Sequence, residues 1–212
     1  MDKLNNLMAQ VAVLGNAQRQ YQLQCDAFGN NVVERWRGRD ALSAHAATEV
    51  DVLATAQGAD LQALLAKPAI LRMRTADGGE QRRSGLIASA TCLGSDGGLV
   101  RYRFSLQSWT WWLQHARHSR VFQDKTVRQI VDSVLEGYPE LARWRWAEGC
   151  DEFIAARARS YCVQYRESDL AFVQRLLAEE GLGWRLCQDE QAPCGNSMEI
   201  FADSSALPQD AA

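Results

Sequence analysis

The sequence has no long apolar run. Nothing in its 212 residues approaches the ~20 consecutive apolar residues of a membrane-spanning helix. The weakly apolar stretch Leu7–Leu14 follows Asp2, Asn5 and Asn6 and contains Gln10, which argues against a secretory signal peptide and against stable membrane insertion. Positive charge is also short: a formal net charge of −3 and a pI near 5.7 argue against a general nucleic-acid binder, which needs clustered cations to displace counterions. Closely spaced metal ligands are missing, because the nearest cysteines, Cys187 and Cys194, lie seven residues apart, whereas structural zinc sites use pairs such as C-x-x-C. Gly94–Gly98 lacks the Lys-Ser/Thr ending of a phosphate cradle and reads as a hairpin turn. No internal repeat or low-complexity segment is present.

What is present is a core. Apolar residues make up 47% of the chain, which excludes disorder, and the length suits one good core or two small ones. Six cysteines (Cys25, Cys92, Cys150, Cys162, Cys187, Cys194) are scattered without a small-scaffold framework. That pattern favours reduced thiols in a cytosolic protein and leaves disulfide pairing open.

Along the chain, Leu4, Leu7, Met8 and Val11 have helical spacing, so residues 3–14 read as a short helix or a frayed extension. From Arg19 the pattern becomes β. Tyr21, Leu23 and Cys25 alternate, Gly29-Asn30-Asn31 turns, Val32–Arg37 returns, and Thr48, Val50 and Val52 alternate again. Asp60 is placed to cap a short helix through Leu61, Leu64 and Leu65, bounded by Pro68. Leu71 and Met73 resume the sheet, Asp77-Gly78-Gly79 turns, and Leu86, Ala88, Ala90 and Cys92 alternate on the return. Val100, Tyr102, Phe104 and Leu106, set against Arg101, Arg103, Ser105 and Gln107, form the cleanest alternation and predict a half-buried antiparallel sheet.

Helical signals follow. Trp109, Trp112 and Leu113 suit a short turn; Thr126 and Gln129 form a T-x-x-Q capping box ahead of Val127, Ile130, Val131, Val134 and Leu135, and Gly137 with Pro139 ends that helix. Residues 141–160 give no firm pattern. Trp184 and Leu186, then Met198, Ile200 and Phe201, read as strands. The expected fold class is α+β, a mainly antiparallel β barrel-like domain followed by a helix-containing α/β segment. The divisions are 1–18 an extension, 19–115 the barrel-like domain, 116–205 the helix-rich segment and 206–212 a boundary tail.

The most informative stretch is Tyr161–Gly181. Tyr161, Val163 and Tyr165 alternate with Cys162, Gln164 and Arg166, the period of a strand with one buried face. Ser168 then caps a helix, Asp169 sets a carboxylate at its positive end, Leu170, Phe172, Val173, Leu176 and Leu177 form its apolar stripe, and Gly181 stops it. This run resembles the signature of the VgrG family, the spike-hub proteins of type VI secretion, related to the baseplate hubs of contractile phage tails. Val33–Ser43 is similar to the family's first hairpin, and Ser119–Val127 to the segment that opens its first long helix.

The resemblance implies a noncatalytic structural hub component. It further implies a homotrimer in the longer parent, a ring of barrels capping the hexameric Hcp tube, effectors and spike-tip proteins as partners, assembly in the bacterial cytoplasm, and ejection by sheath contraction. Family members continue into a second tube domain, an oligonucleotide-binding-like domain and a β-helix spike, so this chain would correspond to their N-terminal hub portion. A phage-like tail hub is the neighbouring alternative.

Other classes rest on single residues. Cys162 is the obvious nucleophile candidate but sits in an alternating strand, and a thiol needs a partner that lowers its pKa. His115 and His118, three apart on an expected helix, with Asp124 the nearest acid, are the available partners. Adjacent Glu179 and Glu180 diverge around a helix and read as a solvated end. Arg143-Trp144-Arg145-Trp146 is the stretch best suited to stack on bases and hold phosphates, yet equally suits a strand packed by its tryptophans. None of these supplies a catalytic, cofactor or metal site.

Overall fold

The computed structural model describes residues 19–55, 59–96, 98–154 and 157–207. The helix expected over residues 3–14 lies outside them. The chain divides into two compact units: the first runs to Arg39 and resumes over Ala47–Ser108, and the second takes Asp40–Ala46 and everything from Trp109 onward.

The first unit is a six-stranded antiparallel sheet: β1 (Tyr21–Gln24), β2 (Asn31–Arg39), β3 (Ala47–Ala54), β4 (Pro68–Arg74), β5 (Glu80–Asp96) and β6 (Leu99–Gln107), in the order β1-β4-β5-β6-β3-β2. Strands β1 and β2 follow each other in the chain yet occupy opposite ends of that order. The ends approach: Asn31 Nδ2 donates to the carbonyls of Leu23 and Gly29, each at 3.1 Å, and the Tyr21 and Trp36 rings meet edge-on at 6.1 Å. The sheet therefore curls into a nearly closed barrel.

Its interior holds Val50, Val52, Leu71, Ile87, Tyr102 and Phe104, with the Phe28 ring 5.4 Å from Tyr102 and 4.9 Å from Phe104. The alternation of β6 is obeyed without exception, since Val100, Tyr102, Phe104 and Leu106 are all buried. Each such side chain removed from water contributes about 1.5–3 kcal/mol.

Two expectations fail here. The return strand does not keep one alternation through Leu86, Ala88, Ala90 and Cys92: a bulge between Ile87 and Ser89 shifts the register, so Ile87 enters the core beside buried Leu86, Ala90 still packs against it, and Cys92 is exposed. A second bulge follows between Cys92 and Gly94, where Gly94 has φ 138°, and β5 runs through to Asp96; the glycine segment is mostly strand. Residues 61–66 form successive turns and no helix. Asp60 accepts from the amides of Gln62 (3.1 Å) and Ala63 (3.2 Å), but Ala66, at φ 61°, donates to the Ile87 carbonyl and draws the chain into the sheet.

The second unit contains α1 (Trp109–Trp112), β7 (Arg117–Phe122), α2 (Val127–Leu135), β8 (Trp144–Trp146), α3 (Cys150–Phe153), β9 (Cys162–Ser168), α4 (Asp169–Glu179), β10 (Gly183–Gln188) and β11 (Asn196–Phe201). Strands β7 and β9 make an antiparallel ribbon; β10 and β11 form a hairpin to which β8 adds in parallel. The unassigned 141–160 stretch thus supplies one strand and one short helix.

Helix α2 starts as expected: the Gln129 amide donates to Thr126 Oγ1 at 3.2 Å and the Thr126 amide to Gln129 Oε1 at 2.9 Å. Its five stripe residues are buried. Helix α4 is capped by Ser168 Oγ, which accepts from the Ala171 amide at 3.2 Å, and ends at Gly181 with φ 71°. The Phe122 and Phe172 rings stack at 5.7 Å, joining ribbon and helix. The loop Asp40–Ala46 is tied in by Ser43, whose amide donates to the Trp184 carbonyl at 2.8 Å and whose carbonyl accepts from Gln174 at 2.9 Å.

Candidate functional site

The most concentrated chemistry lies in the second unit, on Asp169, the first residue of α4. Its side chain is completely buried, and four donors from three segments converge on it. Tyr138 Oη donates to Oδ2 at 2.6 Å, Gln164 Nε2 to Oδ1 at 2.6 Å, and Arg120 reaches both oxygens at 3.2 and 3.3 Å. His118 Nδ1 lies 2.8 Å from Oδ1. Gln164 is itself fully buried, donating also to the Glu167 carbonyl at 3.2 Å and accepting from Arg120 at 3.3 Å.

Burial of the Asp169 carboxyl raises its pKa, but the bonds from Tyr138, Gln164 and His118 and the charge of Arg120 outweigh that, leaving it below the usual carboxylate range. Burial first, and then the bond to Asp169, push the Tyr138 hydroxyl well above its ordinary value. A carboxylate whose oxygens are occupied by donors, and which is held ionised, is a poor proton acceptor. The cluster is built to fasten elements together.

This arrangement overturns the expected placement of the histidines. His118 is on strand β7, and His115 lies in the turn after α1 with its ring 4.3 Å from Trp111; neither is on a helix. The acid partner of His118 is Asp169, 51 positions away, and not Asp124, which sits exposed in a turn at φ 50°. Cys162 is buried and its strand partner is Phe122; among the described residues no bond joins it to a histidine.

The face of β9 that turns inward also differs from a reading by hydrophobicity. Cys162 and Gln164 are buried, whereas Tyr161 and Tyr165 are 59% and 68% exposed. The polar Gln164 goes inside because Asp169 and Arg120 satisfy its amide there, and the tyrosines follow onto the outer face by the two-residue period.

The remaining candidates resolve into structural contacts. Glu179 and Glu180 each accept from Arg159 at 2.6 Å, and Glu179 also from Arg175 at 3.0 Å. Trp144 and Trp146 both donate their indole N–H to Asp132 Oδ1, at 2.7 and 2.9 Å, and Arg145 bonds Glu199 at 2.9 Å, so the Arg-Trp segment is engaged within its own unit. Burial pushes the Cys187 thiol up and the Cys194 thiol to about 11, the opposite of nucleophile activation. Among the described residues no group of three or more acidic, histidine or cysteine side chains is placed to hold a metal, and no helix is long and apolar enough to cross a membrane.

The first unit carries a comparable carboxylate. Asp51 is 2% exposed on the polar side of the sheet and accepts from Arg103 at 2.7 Å and from Arg35 at 2.6 Å. The Arg103 bond, only partly opposed by burial, and then Arg35 lower its pKa to about 2.

Comparison with known proteins gives one consistent answer. A family model described as phage tail baseplate hub (GPD) matches residues 39–212. The type VI secretion system spike protein VgrG4b of Pseudomonas aeruginosa is 33% identical over 192 residues, covering 90% of this chain and 22% of that protein. VgrG1b of the same organism is 30% identical over 155 residues, covering 71% of this chain and 20% of that protein. The chain thus spans about a fifth of the length of these curated relatives.

Among solved structures, the E. coli c3393 protein, described as a type VI secretion component resembling T4 tail proteins gp27 and gp5, superposes with a TM-score of 0.75 at 22% identity, covering 89% of this chain and 51% of that one. A tail protein from Neisseria meningitidis gives a TM-score of 0.60 at 15% identity, covering 89% and 52%. The nearly closed antiparallel barrel and the strand-to-helix signature are therefore those of a known architecture, and the chain belongs to the phage tail baseplate hub family.

Proposed function

We propose that this chain is a noncatalytic hub component of a type VI secretion spike, in which three copies surround a three-fold axis and present barrels on which the hexameric Hcp tube stacks. The family match over residues 39–212 carries this reading. The candidate site supports it physically: the buried carboxylates Asp51, Asp169 and Glu199 are each held by partners from neighbouring elements, as befits a rigid part that must survive mechanical ejection. The proposed domain division, 19–115 for the barrel and 116–205 for the helix-rich segment, assigns the tube-like surface to the first.

The spike would assemble in the bacterial cytoplasm and leave the cell by sheath contraction, with effectors and tip proteins as cargo. One superposed structure is that of a PdpA–VgrG complex, which supports a further protein partner on such a hub. A hub in a phage-like contractile tail is the same reading in a neighbouring machine.

Light scattering across a concentration series tests the stoichiometry. This chain is expected to run from monomer toward a concentration-dependent trimer. A tight dimer, or a closed two-fold oligomer at all concentrations, overturns the three-fold assignment.

A further inference from the structure

We propose that the outer face of the β7–β9 ribbon, built from Val121, Tyr161, Val163 and Tyr165 with Arg166 beside them, receives the acidic Glu148–Phe153 segment of a second copy of this chain. The inner face of the ribbon is occupied: Phe122, Cys162 and Gln164 are buried, Phe122 against Phe172 of α4 and Gln164 in the Asp169 junction. On the outer face Val121, Tyr161 and Tyr165 are 54, 59 and 68% exposed, and Val121 is the direct strand partner of Val163. A two-stranded ribbon that turns such a face to water is a docking surface in want of a cover.

The bulge in the ribbon adds charge to this face. His118 pairs with Glu167 and Arg120 with Gln164, so Tyr165 and Arg166 together oppose Ser119; Arg166 takes the left-handed conformation, with φ 50°, and its amide donates to Ser119 Oγ at 3.3 Å. Both side chains are exposed, and the Arg166 guanidinium lies 5.4 Å over the Tyr165 ring. Arg117, exposed at the start of β7, falls on the same face by the two-residue period. Among the described residues neither arginine is in an ion pair. Tyrosine and arginine are the residues that most often anchor interfaces.

Charge selects the occupant. Two such faces would set arginine against arginine, so the face does not pair with itself, and its complement is acidic and apolar. The same unit carries that complement elsewhere: Phe153, 57% exposed, follows Glu152 and lies against Gly181 at the end of α4. Glu148 and Glu152 are exposed, and among the described residues neither is in an ion pair, whereas Asp151 is held by Arg128. Phe153 would pack on the tyrosines while Glu152 meets Arg166. Unlike surfaces pair head to tail from copy to copy and generate a ring where the rotation closes, which a two-fold contact does not. A segment this short buries less than the ~1,200 Å² of a stable interface, so the association depends on concentration. The inference rests on the hub reading for ring closure and names the two surfaces that meet.

Charge reversal on the whole chain, followed by light scattering across a concentration series, tests it. Arg166→Glu and Glu152→Arg should each weaken association about tenfold or more, and both together in one chain should restore it to within about threefold of the parent. Single variants that associate like the parent, or a double variant that does not recover, overturn the contact and leave the three-fold stoichiometry standing. Mass that grows without a plateau in the parent and falls in both single variants supports the contact and overturns ring closure. Absence of any association up to millimolar concentration overturns the proposal. If Arg166→Glu lowers the unfolding temperature, Tyr165→Ser replaces it: association weakened to the same degree supports the contact, and unchanged association overturns it.

Discussion

Each unit buries an aspartate, Asp51 in the first and Asp169 in the second, and the two are satisfied in different ways. Asp51 lies on a sheet face and is bonded by arginines on the two strands that flank its own, partners that are 68% and 31% exposed. Asp169 has no exposure and draws on β7, the turn after α2 and β9. The first is a reinforcement of pairing already fixed by the strand ladder. The second is a junction, because it ties the start of α4 to the β7–β9 ribbon and to the turn after α2, none of which shares a ladder with the helix.

The sharpest way to break this comparison is to remove both carboxyls in turn. Asp169→Ala should cost about 3–5 kcal/mol in chemical denaturation, because it strands Arg120, Gln164 and Tyr138 without their acceptor in a buried site. Asp51→Ala should cost only about 1–2 kcal/mol, since water can solvate Arg35 and Arg103. Equal losses would mean that burial alone, and not the number of elements joined, sets the cost.

Acid separates the two more gently. Both carboxylates have depressed pKa values in the folded state, so each contributes stability that is present above the unfolded carboxyl pKa near 4 and is lost as pH falls through the folded value. For Asp51 the window runs from about pH 4 down to about 2 and carries about 1–2 kcal/mol. Urea midpoints measured across that window should fall less steeply in Asp51→Asn than in the parent protein. An unchanged slope would remove Asp51 from the acid response.

Smaller effects sharpen the contrast between lock and ornament. Cys162→Ser places a hydroxyl in a buried strand beside the Asp169 junction and should cost about 1–2 kcal/mol while eliminating no hydrolytic activity. A thiol-dependent activity of the purified protein that disappears in this variant would overturn the noncatalytic reading. Thr126→Ala should cost about 1 kcal/mol by removing the α2 cap, with exposed Ser133→Ala within about 0.5 kcal/mol as its control. Arg128 is a poor control, because its guanidinium lies 5.3 Å over the Trp146 ring.

What was legible in the sequence follows the range of the interactions. The caps at Thr126 and Ser168, the stripes of α2 and α4 and the β6 alternation are set by residues within one or two turns of each other, and all are present as expected. Bulges are not local in that sense: nothing in Leu86–Cys92 announces that Ile87 will enter the core, because the shift is set against β6. The Asp169 junction was invisible because its partners are separated from it by as many as 51 positions. Periodicity gave the alternation of β9 but not its inner face, which is chosen by the junction that Gln164 joins. The one available hint was a glutamine alternating with a cysteine ahead of an Asp at a helix start.

The bond between Ser43 and Trp184 spans 141 positions and joins a short early segment to a unit otherwise built from Trp109 onward. During synthesis Asp40–Ala46 leaves the ribosome long before the hairpin that will anchor it exists, so this loop must wait while the strands on either side of it pair. The same arrangement frustrates dissection. A single cut at Ser108 yields a C-terminal piece without the loop that caps Trp184 and an N-terminal piece holding a loop with nothing to bind, so no one break in the chain divides this protein into two complete parts.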